Sequence, residues 1–321
     1  MKRVCKIFSI AAALPTLLAG CGGGTDGTIG PTPEPVGSIS ISLTDGPWEE
    51  ARSIVLHITD VELGHSNRDV VRLDIPGGPM SVDMMHLQNG MFQVLISRVE
   101  VPAGQYDWIR LRIDADQSYI DLAGTGGRHR MEMGSSAANG LEVRQPFRIQ
   151  ERAHDEFMLD FDVRYGVRHH HGGMMGDQYE LHSAIRLVNM HDAGGLTGMI
   201  GASMVDINHP DCDPAPGGNW AYLYPDDASI PDDIAEPDTD GVPGPIATDQ
   251  VEMQSGTGEY FYHFGYLPAG SYRIAFTCSG EWDEDGDDDY PSDPDGRFDF
   301  QKFSDSAAVT AGQIRRHDLV P

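Results

Sequence analysis

The chain reads as an all-β protein: two antiparallel β-sandwich domains, immunoglobulin-like or transthyretin-like, behind a lipoprotein signal peptide and a flexible linker. Three observations lead there. Long helical patterns are nearly absent, short runs alternate apolar and polar residues, and turn signals separate the runs. Hydrophobic residues make up 40% of the 321, enough to build packed cores.

The alternation is plain in Ser38-Ile39-Ser40-Ile41-Ser42-Leu43, in Trp108–Ile113 with Ile109, Leu111 and Ile113 on one face, and in Phe157–Val163 with Phe157, Leu159, Phe161 and Val163 together. A period of two puts such side chains on one face of a strand. Turn signals fall at Thr44-Asp45-Gly46-Pro47, Pro76-Gly77-Gly78-Pro79, Asn89-Gly90 and Asn139-Gly140. The alternation stops near Met84–Asn89, where the pattern predicts one short helix. Asp160 and Asp162 share a strand face, and the spacing predicts them exposed and paired across strands with Arg110 and Arg112.

Residues 1–20 are a targeting segment. Lys2, Arg3 and Lys6 precede an apolar run from Ile7 to Leu18, which is shorter than a membrane-spanning helix needs. The segment ends Leu18-Ala19-Gly20-Cys21, which resembles the bacterial lipobox, so Cys21 is the expected lipidation site and new N-terminus. Gly22 and Gly23 follow in place of the acidic retention signal, which points to the outer membrane. Residues 21–37 read as the lipidated cysteine and a Gly/Pro tether. The membrane is therefore met through the lipid, with palmitate among the acyl chains.

The mature chain keeps two other cysteines, Cys212 and Cys278, and an oxidising compartment makes a disulfide between them the default. Closing that loop stabilises by about 4 kcal/mol on the chain-entropy view. No CxxC spacing supports a thiol metal site instead.

The net charge is -28, and removal of Lys2, Arg3 and Lys6 with the signal peptide takes it to -31. Strong acidity excludes nucleic acid as a partner, because a phosphate backbone needs a basic patch. A composition shift near His191–Gly195 separates a domain over 38–192 from an acidic one over 195–321. Residues 196–321 carry 25 acids and 5 bases, a net of -20, against -8 for residues 1–195. The second part again reads as strands, over Leu196–Ile207, Trp220–Tyr224, Tyr260–Leu267, Tyr272–Thr277 and Ile314–Leu319.

One internal echo links the halves. Val101-Pro102-Ala103-Gly104-Gln105-Tyr106 recurs as Leu267-Pro268-Ala269-Gly270-Ser271-Tyr272. Pro fixes φ and Gly permits a turn, so each copy is a tight corner leading into a strand with its Tyr turned inward.

These motifs carry a resemblance. Leu43–Pro47, Ile58–Leu63, Asp83–Gly90, Val101–Leu111, Leu159–Val163 and Tyr179–Leu187 occur in the order of the bacterial lipoprotein domain of unknown function DUF4382, over roughly residues 37–190. The resemblance implies an exported β-sandwich and brings no catalytic residues. The second domain resembles a transthyretin-like or carboxypeptidase-regulatory-like module through Leu267–Tyr272, a kind that serves stability or adhesion.

Two strings could bind metal. Glu236, Asp238 and Asp240 precede Gly241, and Glu281, Asp283 and Asp285 precede Gly286, with Asp293, Asp295 and Asp299 beyond. Alternating acids before a Gly turn suit calcium, although position twelve is Ala247 or Ser292 and no complete EF-hand forms. The alternative is a solvated acidic loop. His169, His170, His171, Met174 and Met175 offer imidazole and thioether donors for copper or zinc, with His154 and His182 as neighbours and Met84, Met85, Met131 and Met133 raising the methionine content. A casual hairpin tip explains the same string. No nucleophile-elbow, HExxH, phosphate-loop or dinucleotide fingerprint is present. The sequence therefore points to a non-enzymatic envelope lipoprotein that binds or scaffolds an envelope or extracellular protein or polysaccharide, with calcium as structural ion. A transition-metal-binding protein is the second reading. For the disulfide, a thiol assay on the unfolded, unreduced mature protein is expected to find no reactive thiol; two would contradict it.

Overall fold

The computed structural model describes residues 34–45, 51–88, 90–122, 127–170, 178–205, 218–234, 244–280, 283 and 298–321. Pro35–Pro321 form one compact unit. Strands dominate it, and among the described residues helix is confined to single turns such as Val163–Gly166 and the 3-10 turn Met84–His86. That second turn sits where the alternation stops, and the Asp83 carboxylate caps it by accepting the Met85 N–H at 3.2 Å.

The first core lies between two sheets. In one, Val36–Asp45 runs between His154–Phe161 and Gln93–Pro102, with Ile185–Asn189 beyond His154–Phe161. The other is organised on the 14-residue strand Ala51–Gly64, which pairs with Trp108–Ile113, Tyr119–Leu122, Val71–Asp74 and Met80–Asp83. Ile39, Ile41 and Leu43 from the first sheet meet Ile54, Leu56 and Ile58 from the second, all fully buried, together with Leu111, Phe157 and Phe161. Each such aliphatic side chain contributes about 1.5–3 kcal/mol by leaving water. This is why a register slip of one residue is not tolerated here: it would turn the whole apolar set outward.

The second core repeats the plan. Ala193–Ile200 lies between Tyr260–Pro268 and Ile314–Arg316, facing a sheet in which Trp220–Pro225 lies between Ala247–Gln250 and Gly270–Thr277. Leu196, Tyr262 and Phe264 pack on Leu223, Ile274 and Phe276. The strand Trp220–Pro225 is buried on both faces. Ala221 and Leu223 enter this core, while Trp220, Tyr222 and Tyr224 join Ile234 and Phe298 on the other side.

Among the described residues most ladders are antiparallel, and three are parallel: Val36–Asp45 with His154–Phe161, Arg128–Met133 with Gln178–Leu181, and Ala193–Ile200 with Ile314–Arg316. Each joins segments far apart in the chain, where no hairpin dictates direction.

The internal echo has a specific meaning. Tyr106 donates its hydroxyl to the Pro102 carbonyl at 2.8 Å, and Tyr272 donates to the Pro268 carbonyl at 2.8 Å. In both copies the ring is buried, and the bond closes the corner between two consecutive strands. Gly104 turns at φ +139°, where a side chain would strain the backbone. We expect Tyr106→Phe and Tyr272→Phe each to lower unfolding stability by about 1 kcal/mol in urea titrations, because each removes one partly buried hydrogen bond and leaves the ring in place.

Candidate functional site

The seam between the two cores is made by the segment that follows Leu159. The strand His154–Phe161 stops where Asp162 caps the turn Val163–Gly166, its Oδ1 accepting the Tyr165 N–H at 3.2 Å. Its other oxygen accepts the Thr248 N–H at 3.1 Å and hydroxyl at 3.2 Å, from a strand of the second core. Asp162 is thus half-buried and structural. Asp160 pairs instead with Arg186 at 2.7 Å, and Arg110 pairs with Glu62 and Glu142. The expected pairing of Arg110 and Arg112 with Asp160 and Asp162 does not form, because the strand carrying Asp160 pairs with Ile185–Asn189 in the other sheet.

The turn then sends Arg164 into the second half. Its guanidinium donates to the Tyr222 hydroxyl at 2.6 Å and to the Gly280 carbonyl. It lies 3.5 Å from the Asp283 carboxylate and 4.3 Å above the Trp220 ring. Asp283 also accepts from the Tyr222 hydroxyl and from the Ile234 N–H at 3.1 Å. A charge buried this deeply costs several kcal/mol unless it is paired and hydrogen-bonded, and here every contact of the arginine named above is polar or aromatic. Burial pushes the hydroxyls of Tyr222 and Tyr224 well above the ordinary tyrosine value, so both act as neutral donors.

Beside this lock a cleft of about 460 Å³ opens along the seam. Its walls hold Asp160, Asp162 and Arg186 from the first half and Asp249, His263 and Tyr266 from the second, over an apolar floor that includes Val188, Ile246 and Phe264. Tyr266 adopts φ +50° near a register shift between Gly194 and Leu196, and its hydroxyl reaches across to donate to the Gly90 carbonyl at 2.7 Å. A tyrosine in that conformation is strained, and the cross-seam bond anchors its side chain. Asp249 is 9% exposed, with Oδ2 accepting the His263 N–H at 2.6 Å. Burial raises its carboxyl well above the ordinary value and raises that of Asp162 as well. Burial also lowers the His263 imidazole, so that ring is neutral at pH 7.

The residues singled out from sequence fall differently. Asp283 is part of the lock, with its oxygens engaged as above. Asp299 is exposed, and its carbonyl accepts the Thr277 hydroxyl at 2.7 Å. Cys278 is buried at the end of Gly270–Thr277. His169 stacks on Tyr179 at 4.7 Å, on the strand Val167–His170 that also carries His170. His182 hydrogen-bonds Ser136 and Glu180, while His154 lies in the other sheet against Ser38 and Ser40. Met84 and Met131 fill the first core. Cys21, Cys212, Glu236, Asp238, Asp240, Glu281, Asp285, Asp293, Asp295, His171, Met174 and Met175 lie outside the described residues. Among the described residues, no group of three His, Cys, Asp or Glu is placed to hold a metal ion. Arg164, Asp249 and Tyr266 were not singled out: the alternation runs on through Val163 and does not mark the end of the strand at Phe161.

Facing sheet pairs over two cores define an all-β protein of the sandwich type. Residues 36–182 match the family model of the domain of unknown function (DUF4382), the family that the motifs resemble. No curated protein matches the chain. Among solved structures, the Bacillus anthracis TIE protein is 10% identical (89% of this chain and 34% of that one, TM-score 0.19). A leucine-rich repeat protein from Bacteroides thetaiotaomicron is 10% identical (88% and 26%, TM-score 0.21). The minor pilin GBS52 of Streptococcus agalactiae is 9% identical (88% and 97%, TM-score 0.19). The chain spans about a third of the first and a quarter of the second. Superpositions of this quality do not establish a common fold.

The buried Asp249 gives a pH signature. Its folded-state value lies above 3.8, so the folded state retains a proton that the unfolded chain releases, and stability falls as pH rises from about 3.8 through the raised value. Asp249→Asn keeps an acceptor for His263 and removes that titration. Its unfolding free energy is expected to decline less steeply than the wild type's across this window, with Asp162 and Asp283, both raised by burial, contributing to the residual slope; identical slopes in urea titrations would contradict the assignment.

Proposed function

We propose that the mature chain is a non-catalytic binding protein of the outer membrane, tethered through a lipid on Cys21, and that its ligand enters the cleft between the two cores. The carrying observation is the cleft's construction. Its walls come from both halves, and Asp160, Asp162, Asp249 and Tyr266 are each fixed by a hydrogen bond or ion pair of their own. Such a site is held in shape before any ligand arrives, which favours binding. The signal segment and the lipobox-like Leu18–Cys21 support the tether. Calcium in the acidic loops of residues 236–241 and 281–286 belongs to the same reading as a structural ion, since it would relieve their self-repulsion.

Immobilised mature protein is expected to retain a component of envelope or extracellular extracts and to release it with its mass unchanged. Gly265→Trp, where the added Cβ finds open room beside His263, is expected to fill the cleft and abolish retention. Equal retention by that variant would place binding elsewhere, and a changed mass would mean catalysis. Calcium is expected to raise the melting temperature and chelator to lower it; no response to either removes the ion from the reading.

A further inference from the structure

The cleft's charge is not balanced within its own walls. Arg186 is committed to Asp160 at 2.7 Å. Asp162 and Asp249 are held by N–H and hydroxyl donors, and neither has an ion-pair partner among the described residues. His263, lowered by burial, does not supply a positive charge at pH 7. Asp249 is nine-tenths buried, yet only its Oδ2 takes a hydrogen bond among the described residues; Oδ1 takes none. A carboxyl oxygen with no protein donor among the described residues, on a nine-tenths buried side chain in the wall of a cavity, is the arrangement a cationic ligand completes.

The kind of cation follows from the rest of the wall. No set of three metal-ligating side chains converges among the described residues, which by themselves would leave a bare metal ion under-coordinated. The floor at Val188, Ile246 and Phe264 is apolar, and the volume is within the range of small-molecule sites. An ammonium or guanidinium on an alkyl stem satisfies both parts: the head meets the carboxylate and the stem covers the floor. Resting on the reading of the cleft as the binding site, we propose that it takes an alkyl-ammonium or alkyl-guanidinium group, with Asp249 as its counter-ion. The group arrives either on a free amine or on a basic side chain of a peptide.

The test is calorimetric titration of the mature wild-type chain at pH 8 and low salt. The probes are pentylammonium chloride, neutral 1-pentanol, and a capped Gly-Lys-Gly peptide. Saturable binding of pentylammonium or of the peptide is expected, with 1-pentanol weaker by roughly tenfold or more, since it lacks the charge that pairs with a desolvated carboxylate. The amine and the peptide distinguish the two sources, and either one supports the proposal. Asp249→Asn is expected to lose roughly tenfold or more for the cations and nothing for 1-pentanol, while the exposed Asp74→Asn binds as wild type. Melting curves confirm that Asp249→Asn is folded. Cations that bind no better than 1-pentanol, or that bind undiminished to Asp249→Asn, would overturn it. If the cations fail while envelope material is still retained by wild type and lost in Gly265→Trp, the ligand class falls and the binding reading stands.

Discussion

A guanidinium cannot stay out of water alone, and the packing of the two cores follows from how Arg164 is kept company. It leaves the first half on a single helical turn and finds its partners, Tyr222, Gly280 and Asp283, in the second. Removing any one side would leave a buried charge or a buried acceptor uncompensated, which is far more costly than the net worth of the contacts themselves. The halves are therefore tied by a penalty for separation as much as by attraction. Asp162 adds to this from the other end of the same turn, since it caps the helix and receives Thr248 with one carboxylate.

The cleft is a consequence of that tie. Two sandwiches joined along a seam at Arg164, Asp162 and Tyr266 leave a gap between these contacts. The gap is walled by whatever the adjoining strands present: Asp160 and Arg186 from one sheet, Asp249 and His263 from another. Tyr266 bridges the far side to Gly90. Strands and corners fix the walls. The two tyrosine-closed corners set the starts of Gly104–Tyr106 and Gly270–Thr277, the latter being the strand that carries Cys278 at its end and lies beside Trp220–Pro225.

Much of the fold was legible in the residues. Period-two runs such as Ser38–Leu43 and Trp108–Ile113 became strands with their apolar face inward, because burying one face of a sheet is a local requirement that each run meets by itself. The echo at Val101–Tyr106 and Leu267–Tyr272 was legible as a corner because Pro and Gly act locally. The seam was not. Arg164 contacts Tyr222 58 positions on and the Asp283 backbone 119 positions on, and no spacing within one segment encodes such a meeting. Asp162 was misplaced for the same reason: its strand ends at Phe161, two residues before the alternation does, and the turn commits its carboxylate to Tyr165 and Thr248. The methionines read as donors are in part core filler, since Met84 and Met131 sit among aliphatic side chains that accept any apolar shape.

The central claim is that Arg164 makes the two cores unfold as one. Scanning calorimetry of the mature wild-type chain and Arg164→Met tests it most directly. The account predicts a single transition for wild type. For the variant it predicts a loss of about 3–5 kcal/mol and two resolved transitions, because the methionine fills the space while Tyr222 and Asp283 lose their partner. A variant that melts in one transition at the wild-type temperature would contradict it.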